Sequence, residues 1–418
     1  MESNEHIPKE QGPDHSLSLL QDGYLFIKNR VEQYDSDIFE TRILGKKVVC
    51  MSGADAVKVF YDPNRFQRKW AAPYRIQQTL FGVGAIQGMD GEAHRKLKNQ
   101  YLSLMTVPEQ KRISELMTQE LQSMVSKWEL ADRIILFEEM KVILCRIACQ
   151  WAGVPLQEEE VSDIADDLIA MIYAFGRVGP EHWKGRSARN RTENWMKKII
   201  DEVRAGNLTA EPQSALYAMA FYKDHNDQIV HSKKAAIELL NVIRPIVAIS
   251  TYITFSAVAL HENPETKNWL QSGGMKELEM FTNEVRRFYP FGPFLGARVK
   301  QDFTWKNYDF KKGTLVLLDI YGLNHNQQIW ENPNQFNPNH FNNWEENPYT
   351  FIPQGGGDPA NGHRCPGEGI TIEVLKVSLD FLVNKIDYEV PAQDLNYSLD
   401  EMPTLPKSGF IMTKVRRK

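Results

Sequence analysis

Cys365 stands in a loop crowded with glycine. Phe351-Ile352-Pro353-Gln354-Gly355-Gly356-Gly357 leads through Asn361-Gly362-His363-Arg364 to Cys365-Pro366-Gly367-Glu368. An amphipathic pattern begins at once, with Ile370, Val374, Val377 and Phe381 at helical spacing. The loop therefore delivers a thiol to a helix start. Unpaired backbone N–H groups and the positive end of the helix dipole there favour thiolate, the form that ligates iron. Gly367 would let a flat cofactor lie close against the backbone. A buried structural cysteine beside a helix cap is the plain alternative, and Cys365 alone does not decide between them.

A second chemical group lies some way upstream. Asn241-Val242-Ile243-Arg244-Pro245-Ile246-Val247 falls near the middle of a helical pattern from about Ser232 to His261. About 30 residues of helix would be ~45 Å long and would cross the whole molecule. Pro245 removes one backbone hydrogen bond and is expected to kink it. Arg244 is flanked by Leu239, Leu240, Val242, Ile243, Ile246 and Val247. A guanidinium there either snorkels to the surface or waits for an anion. A bidentate fork matched to a carboxylate is its natural use.

Two further pairs have the spacing of one helical turn. His94 and Lys98 share a face of the helix expected from Glu92, where they could hold a carboxylate or phosphate or simply be solvated. Glu284 and Arg287 have ion-pair spacing on a helix that Pro290 soon ends. Upstream of His94, Leu80-Phe81-Gly82-Val83-Gly84-Ala85-Ile86-Gln87-Gly88 is too glycine-rich for a helix and apolar enough to wall a pocket. Phe291 and Phe294, set among glycine and prolines, read as loop aromatics facing a cavity.

The elements that must position these groups are mostly helical. Helices are expected over 16–29, 54–61 and much of 108–204, where a stripe of Val161, Ile164, Leu168, Ile172 and Phe175 is mainly core. Strands are expected over 42–51, as a hairpin turning at Gly45-Lys46, and over 303–305, 308–310 and 314–320. A proline-punctuated meander, Pro333 to Phe341, precedes the cysteine loop. No linker or repeat divides the 418 residues, so one large domain, mainly α with small β sheets, is expected over 16–418, after a disordered tail over 1–15.

Composition narrows the function. A formal charge of −5 with no basic stripe excludes a nucleic-acid binder. The most apolar run, Ile246 to Leu260, carries Ser250, Thr251, Tyr252, Thr254 and Ser256, and is too short and polar for a membrane span. With no secretory signal at the start, a soluble cytoplasmic protein is expected. Four cysteines without a C-x-x-C pair indicate neither a disulfide framework nor a zinc knuckle, and Cys145 and Cys149 read as small buried hydrophobes.

Glu284-Val285-Arg286-Arg287, the meander and the loop to Cys365 and Gly367, in that order, resemble the cytochrome P-450 superfamily. The resemblance implies its fold, haem b with Cys365 as axial thiolate, and haem contacts from His94, Lys98, Gly357, His363 and Gly367. Departures from the common pattern are informative. Arg244-Pro245 stands where relatives carry an acid and an alcohol that deliver protons to dioxygen, residues 358–361 lengthen the cysteine loop, and Asn339-His340 replaces an acid and arginine of the meander. These features, with Phe81, Gln87 and Tyr289-Pro290-Phe291-Gly292-Pro293-Phe294, are similar to the bacterial fatty-acid peroxygenases.

That branch implies hydrogen peroxide as co-substrate, long-chain fatty acids as substrates, hydroxylation at the α or β carbon and no redox partner protein. Arg244, Pro245 and Gln87 would form the catalytic wall. Phe81, Ile172, Phe291 and Phe294 would line the alkyl channel, and Glu284–Arg287 would be structural. Alternatives on the same fold are oxidative decarboxylation to terminal alkenes, which Gln87 in place of histidine disfavours, a reductase-dependent monooxygenase and a non-catalytic haem or fatty-acid sensor. A cysteine-nucleophile hydrolase would need no haem.

Overall fold

The computed structural model describes residues 7–418. The N-terminal tail expected to be disordered lies partly outside the described residues. From Ile7 onward the chain is placed: Ile7 is buried, Glu40 N–H donates to Pro8 O, and Glu10 pairs with Arg30 at 2.7 Å. The expected boundary at Ser16 is therefore corrected, because these contacts add the segment to the edge of the hairpin.

The hairpin pairs Ile38–Ile43 with Lys46–Met51. Its two-residue turn is Leu44-Gly45, both at positive φ (52° and 69°), one residue earlier than expected. That conformation matches the right-handed twist of the flanking strands. Leu315–Asp319 lies parallel to the second hairpin strand, followed by Phe294–Val299 and then Phe66–Gln67, giving a five-stranded sheet. A second small hairpin pairs Phe303–Trp305 with Tyr308–Phe310, as its alternation predicts. A three-stranded sheet of Arg133–Ile135, Ile411–Arg417 and Ile386–Glu389 joins distant parts of the chain.

Helices make up the rest. The first expected helix divides into Ser16–Asp22 and Phe26–Tyr34 around a tight turn at Gly23. There a Cβ would stand 2.1 Å from the Leu399 carbonyl oxygen. The central helix, Ser232–Glu262, runs uninterrupted through Pro245. Length and hydropathy would let it cross a membrane, yet 94% of its apolar window is buried inside the protein, which makes it a core helix. From Asn241 to Leu260 every residue is buried except Pro245. Leu136–Ala152 packs along it and buries Cys145 and Cys149 as small hydrophobes. The helix Glu368–Asp380, directly after the cysteine loop, packs on its other side.

Candidate active site

The central helix and the cysteine loop enclose a cavity of about 380 Å³. Its floor holds Cys365 and Gly367, with His363 beside them. One wall carries Arg244 and Pro245, faced by Phe81 and Gln87. Ile172, Phe291 and Phe294 supply apolar surface, and His94 and Lys98 stand at the edge. Residues spread over almost 300 positions of sequence thus share one space. Gly357, expected as a cofactor contact, is not among the residues that line it. Its φ of +76° and the approach of Tyr61, whose ring would lie 3.1 Å from a Cβ, give the reason for glycine there.

Cys365 N–H donates to Gln354 O at 3.0 Å, fixing the loop under the cavity, and the thiol is partly open to it. Gln354 Nε2 lies 3.9 Å from the sulfur and 3.1 Å from Thr371 Oγ1. Burial pushes the Cys365 thiol up, outweighing the Gly367 N–H that lowers it. The N–H at the helix start thus acts toward thiolate, and the burial that opposes it would be offset by a cation bound to sulfur. Glu368, first residue of the following helix, is paired with Arg364 at 2.7 Å and with Arg286. Although burial opposes ionisation, these two arginines hold its carboxyl below the usual range. The added residues form a self-contained exposed turn, with Asp358 accepting from Ala360 N–H at 2.7 Å and from Asn361 Nδ2 at 2.8 Å.

At the cavity edge the His94 and His363 rings stack, with centroids 4.0 Å apart. Burial holds His94 down to about 3 and His363 down to about 4, so both are neutral at pH 7. Lys98 donates to the Arg364 carbonyl and, lowered by burial to about 8, keeps its charge. Behind them lies Arg68, 7% exposed, over the Phe60 ring at 4.2 Å, with no carboxylate in ion-pair distance among the described residues. Its charge is among those that depress both histidines. Sequence reading missed Arg68, because nothing in Phe66-Gln67-Arg68-Lys69 distinguishes a buried cation from a solvated one.

Arg244 is 7% exposed, and its Nε has no hydrogen-bond partner among the described residues. No carboxylate lies within ion-pair distance of it among the described residues. Burial and the nearby Arg189 charge lower it to about 9, so the cation persists at neutral pH. Asn241, one turn earlier, donates through Nδ2 to Phe81 O at 2.8 Å and lies 3.5 Å from Gln87 Oε1. Asn241 Oδ1 is likewise buried without a partner. Unsatisfied buried polar atoms of this kind are uncommon in folded proteins and call for an explanation. A cationic wall, a thiol on the floor, a basic edge and apolar surface between them suit a flat iron-bearing dianion on the floor and an amphipathic acid above it.

The Glu284–Arg287 pair is fully buried, bidentate at 2.7 and 2.8 Å. Arg287 also donates to Asn324 O, Pro333 O and Gln335 O, which uses every N–H it has. His340 supplies the third member: Nδ1 is 3.1 Å from Glu284 Oε2, and Nε2 is 2.6 Å from Glu331 O. Both ring nitrogens face acceptors, so the ring must carry two protons. Burial works against that charge, but Glu284 outweighs it and raises the His340 pKa. The meander is thus pinned to the helix that carries Glu284 and Arg287.

The cytochrome P-450 family model matches residues 258–414. Cytochrome P450SP alpha in complex with (R)-ibuprophen is 43% identical, with a TM-score of 0.95 over 97% of this chain and 99% of that one. Cytochrome P450EX alpha with myristic acid is 41% identical, with a TM-score of 0.96 over 99% of this chain and 100% of that one. A variant of cytochrome P-450 OleT in complex with arachidonic acid is 34% identical, with a TM-score of 0.96 over 99% of each chain. More distantly, the beta-amyrin 6-beta-monooxygenase of Solanum lycopersicum is 22% identical over 415 residues, 90% of this chain and 85% of its own.

Proposed function

The chain belongs to the cytochrome P-450 superfamily, in its fatty-acid peroxygenase branch, and we propose that it hydroxylates long-chain fatty acids at the α and/or β carbon with hydrogen peroxide. The observation that carries this reading is Arg244, a buried guanidinium without a carboxylate partner among the described residues, in the same cavity as Cys365.

Cys365 would hold haem b, with Lys98, Arg68, His94 and His363 as further contacts, and the group would supply the capacity to cleave the peroxide O–O bond and oxidise a C–H bond. Arg244 binds the fatty-acid carboxylate through a charge-assisted fork. Lone pairs the fork leaves free accept a proton of peroxide and return it to the other oxygen, so substrate completes the acid–base machinery. Pro245 is consistent with this role, since it offers neither a backbone N–H nor an acid to compete for that proton. Gln87, held beside Asn241, borders the acid without being able to ionise, which favours hydroxylation over decarboxylation.

Pinning the acid end selects position, because the α and β carbons are the first along the chain. Phe81, Ile172, Phe291 and Phe294 take the alkyl chain and exclude water. Peroxide is already two electrons more reduced than dioxygen and by itself takes the two electrons of the C–H bond, giving hydroxy acid and water, so no redox partner is required, and the protein would work in the cytoplasm. Incubating haem-loaded protein with a long-chain fatty acid and peroxide, then identifying products by mass spectrometry, tests this. Hydroxy acids marked at carbon 2 or 3 are expected. Product that forms only with dioxygen, reduced nicotinamide and a reductase would overturn it.

A further inference from the structure

The wall facing Arg244 is held from outside the cavity. Arg189, on the helix Pro180–Ala205, is 1% exposed. Its Nε pairs with Glu193 at 2.6 Å, which leaves Nη1 and Nη2 to donate to the carbonyls of Leu80 and Phe81, both at 3.1 Å. Asn241 donates to the same Phe81 carbonyl. The chain then turns at Gly82, where φ is +90° and a Cβ would stand 2.4 Å from Arg189 Nη2 and 2.6 Å from Ile237 Cγ2. Glycine at 82 therefore leaves room for the guanidinium. Farther along, Ile86 N–H donates to the buried Glu238 at 3.1 Å, so the stretch carrying Phe81 and Gln87 is fastened at both ends.

We propose that Arg189 is a positioning residue which, by clamping the Leu80 and Phe81 carbonyls, fixes how the acyl chain lies against Phe81 and so sets the split between α and β oxidation. The inference rests on the fatty-acid hydroxylation proposed above. The two candidate carbons differ by a single C–C bond, about 1.5 Å along the chain. A wall displaced by that much exchanges one for the other. Arg189 does not line the cavity and acts only through the main chain of Leu80 and Phe81.

Two variants test the clamp from opposite sides. Arg189→Lys keeps a charge opposite Glu193 and near Arg244 but replaces a planar fork by a point donor. Gly82→Ala leaves Arg189 intact and pushes its fork away. Wild type and both variants, haem-loaded, are given myristic acid and peroxide, and the ratio of 2-hydroxy to 3-hydroxy product is read by mass spectrometry. The myristate dissociation constant is read separately from the haem absorption. The expected result is a change of about threefold or more in product ratio in both variants, with affinity within about threefold of wild type because Arg244 is untouched. A ratio unmoved in both, with melting temperature lowered, would make Arg189 merely structural and overturn the inference. Should Arg189→Lys fail to fold, Gly82→Ala decides alone. Wild type that yields no hydroxy acid removes the functional reading and this inference together; an active wild type with an unmoved ratio removes only the latter.

Discussion

Replacing Arg244 by methionine should make the protein more stable and almost inactive. The guanidinium is buried, its Nε is unsatisfied and no carboxylate faces it among the described residues. Without fatty acid the fold therefore carries a desolvated charge with no compensating partner. Exchanging buried ionic groups for apolar ones of similar size is commonly neutral or stabilising by about 1–4 kcal/mol. Arg244→Met should fall toward the stabilising end, a gain of a few degrees in Tm. With substrate present the sign reverses. Removing one member of a buried charge pair costs about 3–5 kcal/mol, which lowers kcat/KM roughly 10²- to 10⁴-fold. Saturating fatty acid should raise the wild-type Tm, by about 2.7 kcal/mol of stabilisation at a hundred times Kd, and leave the variant unmoved. Thermal unfolding of haem-loaded protein with and without myristate, beside peroxide-driven turnover, measures both. A variant less stable than wild type without ligand would show that Arg244 already has a partner, and kcat/KM within tenfold of wild type would sink the carboxylate clamp. The wild-type kcat/KM should also fall as pH rises through about 9, where burial has brought the loss of the Arg244 proton.

Other expectations follow from the floor and the meander. The His340 pKa is raised above its ordinary 6.5 by Glu284, so its stabilising charge is fully present below that value and lost as pH rises through the raised one. Urea unfolding across this range should show stability falling with pH, and His340→Arg should remove the fall. Glu284→Ala strands the fully buried Arg287 and should cost about 3–5 kcal/mol, read as a lower urea midpoint. Cys365→Ser should abolish the thiolate–carbonyl absorption band of the reduced, carbon-monoxide-bound haem protein; persistence of the band would remove Cys365 as ligand.

Groups whose chemistry is local were legible in the sequence. The cysteine loop, the E-x-x-R pair and an arginine inside an apolar helix each state a physical problem that few folds solve. The small hairpins were legible for the same reason, since Gly45 and Lys306-Asn307 supply the positive φ their turns use. What stayed hidden depends on long-range proximity. The strand Phe294–Val299 lies inside its sheet, paired on both edges, yet its sequence reads as a loop continuing from Phe291. Arg68 and Arg189 look like any helix or strand-end cation until the packing that buries them is known. The burial that opposes the Cys365 thiolate was hidden for the same reason, because distance from bulk water is a property of the whole fold.

The buried arginines show why burial alone is not evidence of function. Arg30, Arg189, Arg286 and Arg287 each face a carboxylate at a residue of this chain: Glu10, Glu193, Glu368 and Glu284. Their charge is neutralised inside the fold, so they fasten structure. Arg244 and Arg68 are also buried, and neither has such a partner among the described residues. An unmatched buried cation costs stability that selection could recover with a single aspartate nearby. Two such cations, one in the cavity of Cys365 and one beside the stacked histidines, are suited to anions from outside the chain. On the proposed reading these are the substrate carboxylate and the acidic edge of the cofactor. The two sites are far less alike in what they allow. Arg68 is stacked on Phe60 and stands beyond two neutral histidines, where a fixed charge serves a ligand that stays. Arg244 lines the open cavity beside Pro245, the only residue from Asn241 to Leu260 that is not fully buried, where on the proposed reading the anion would enter, be oxidised near its bound end and leave.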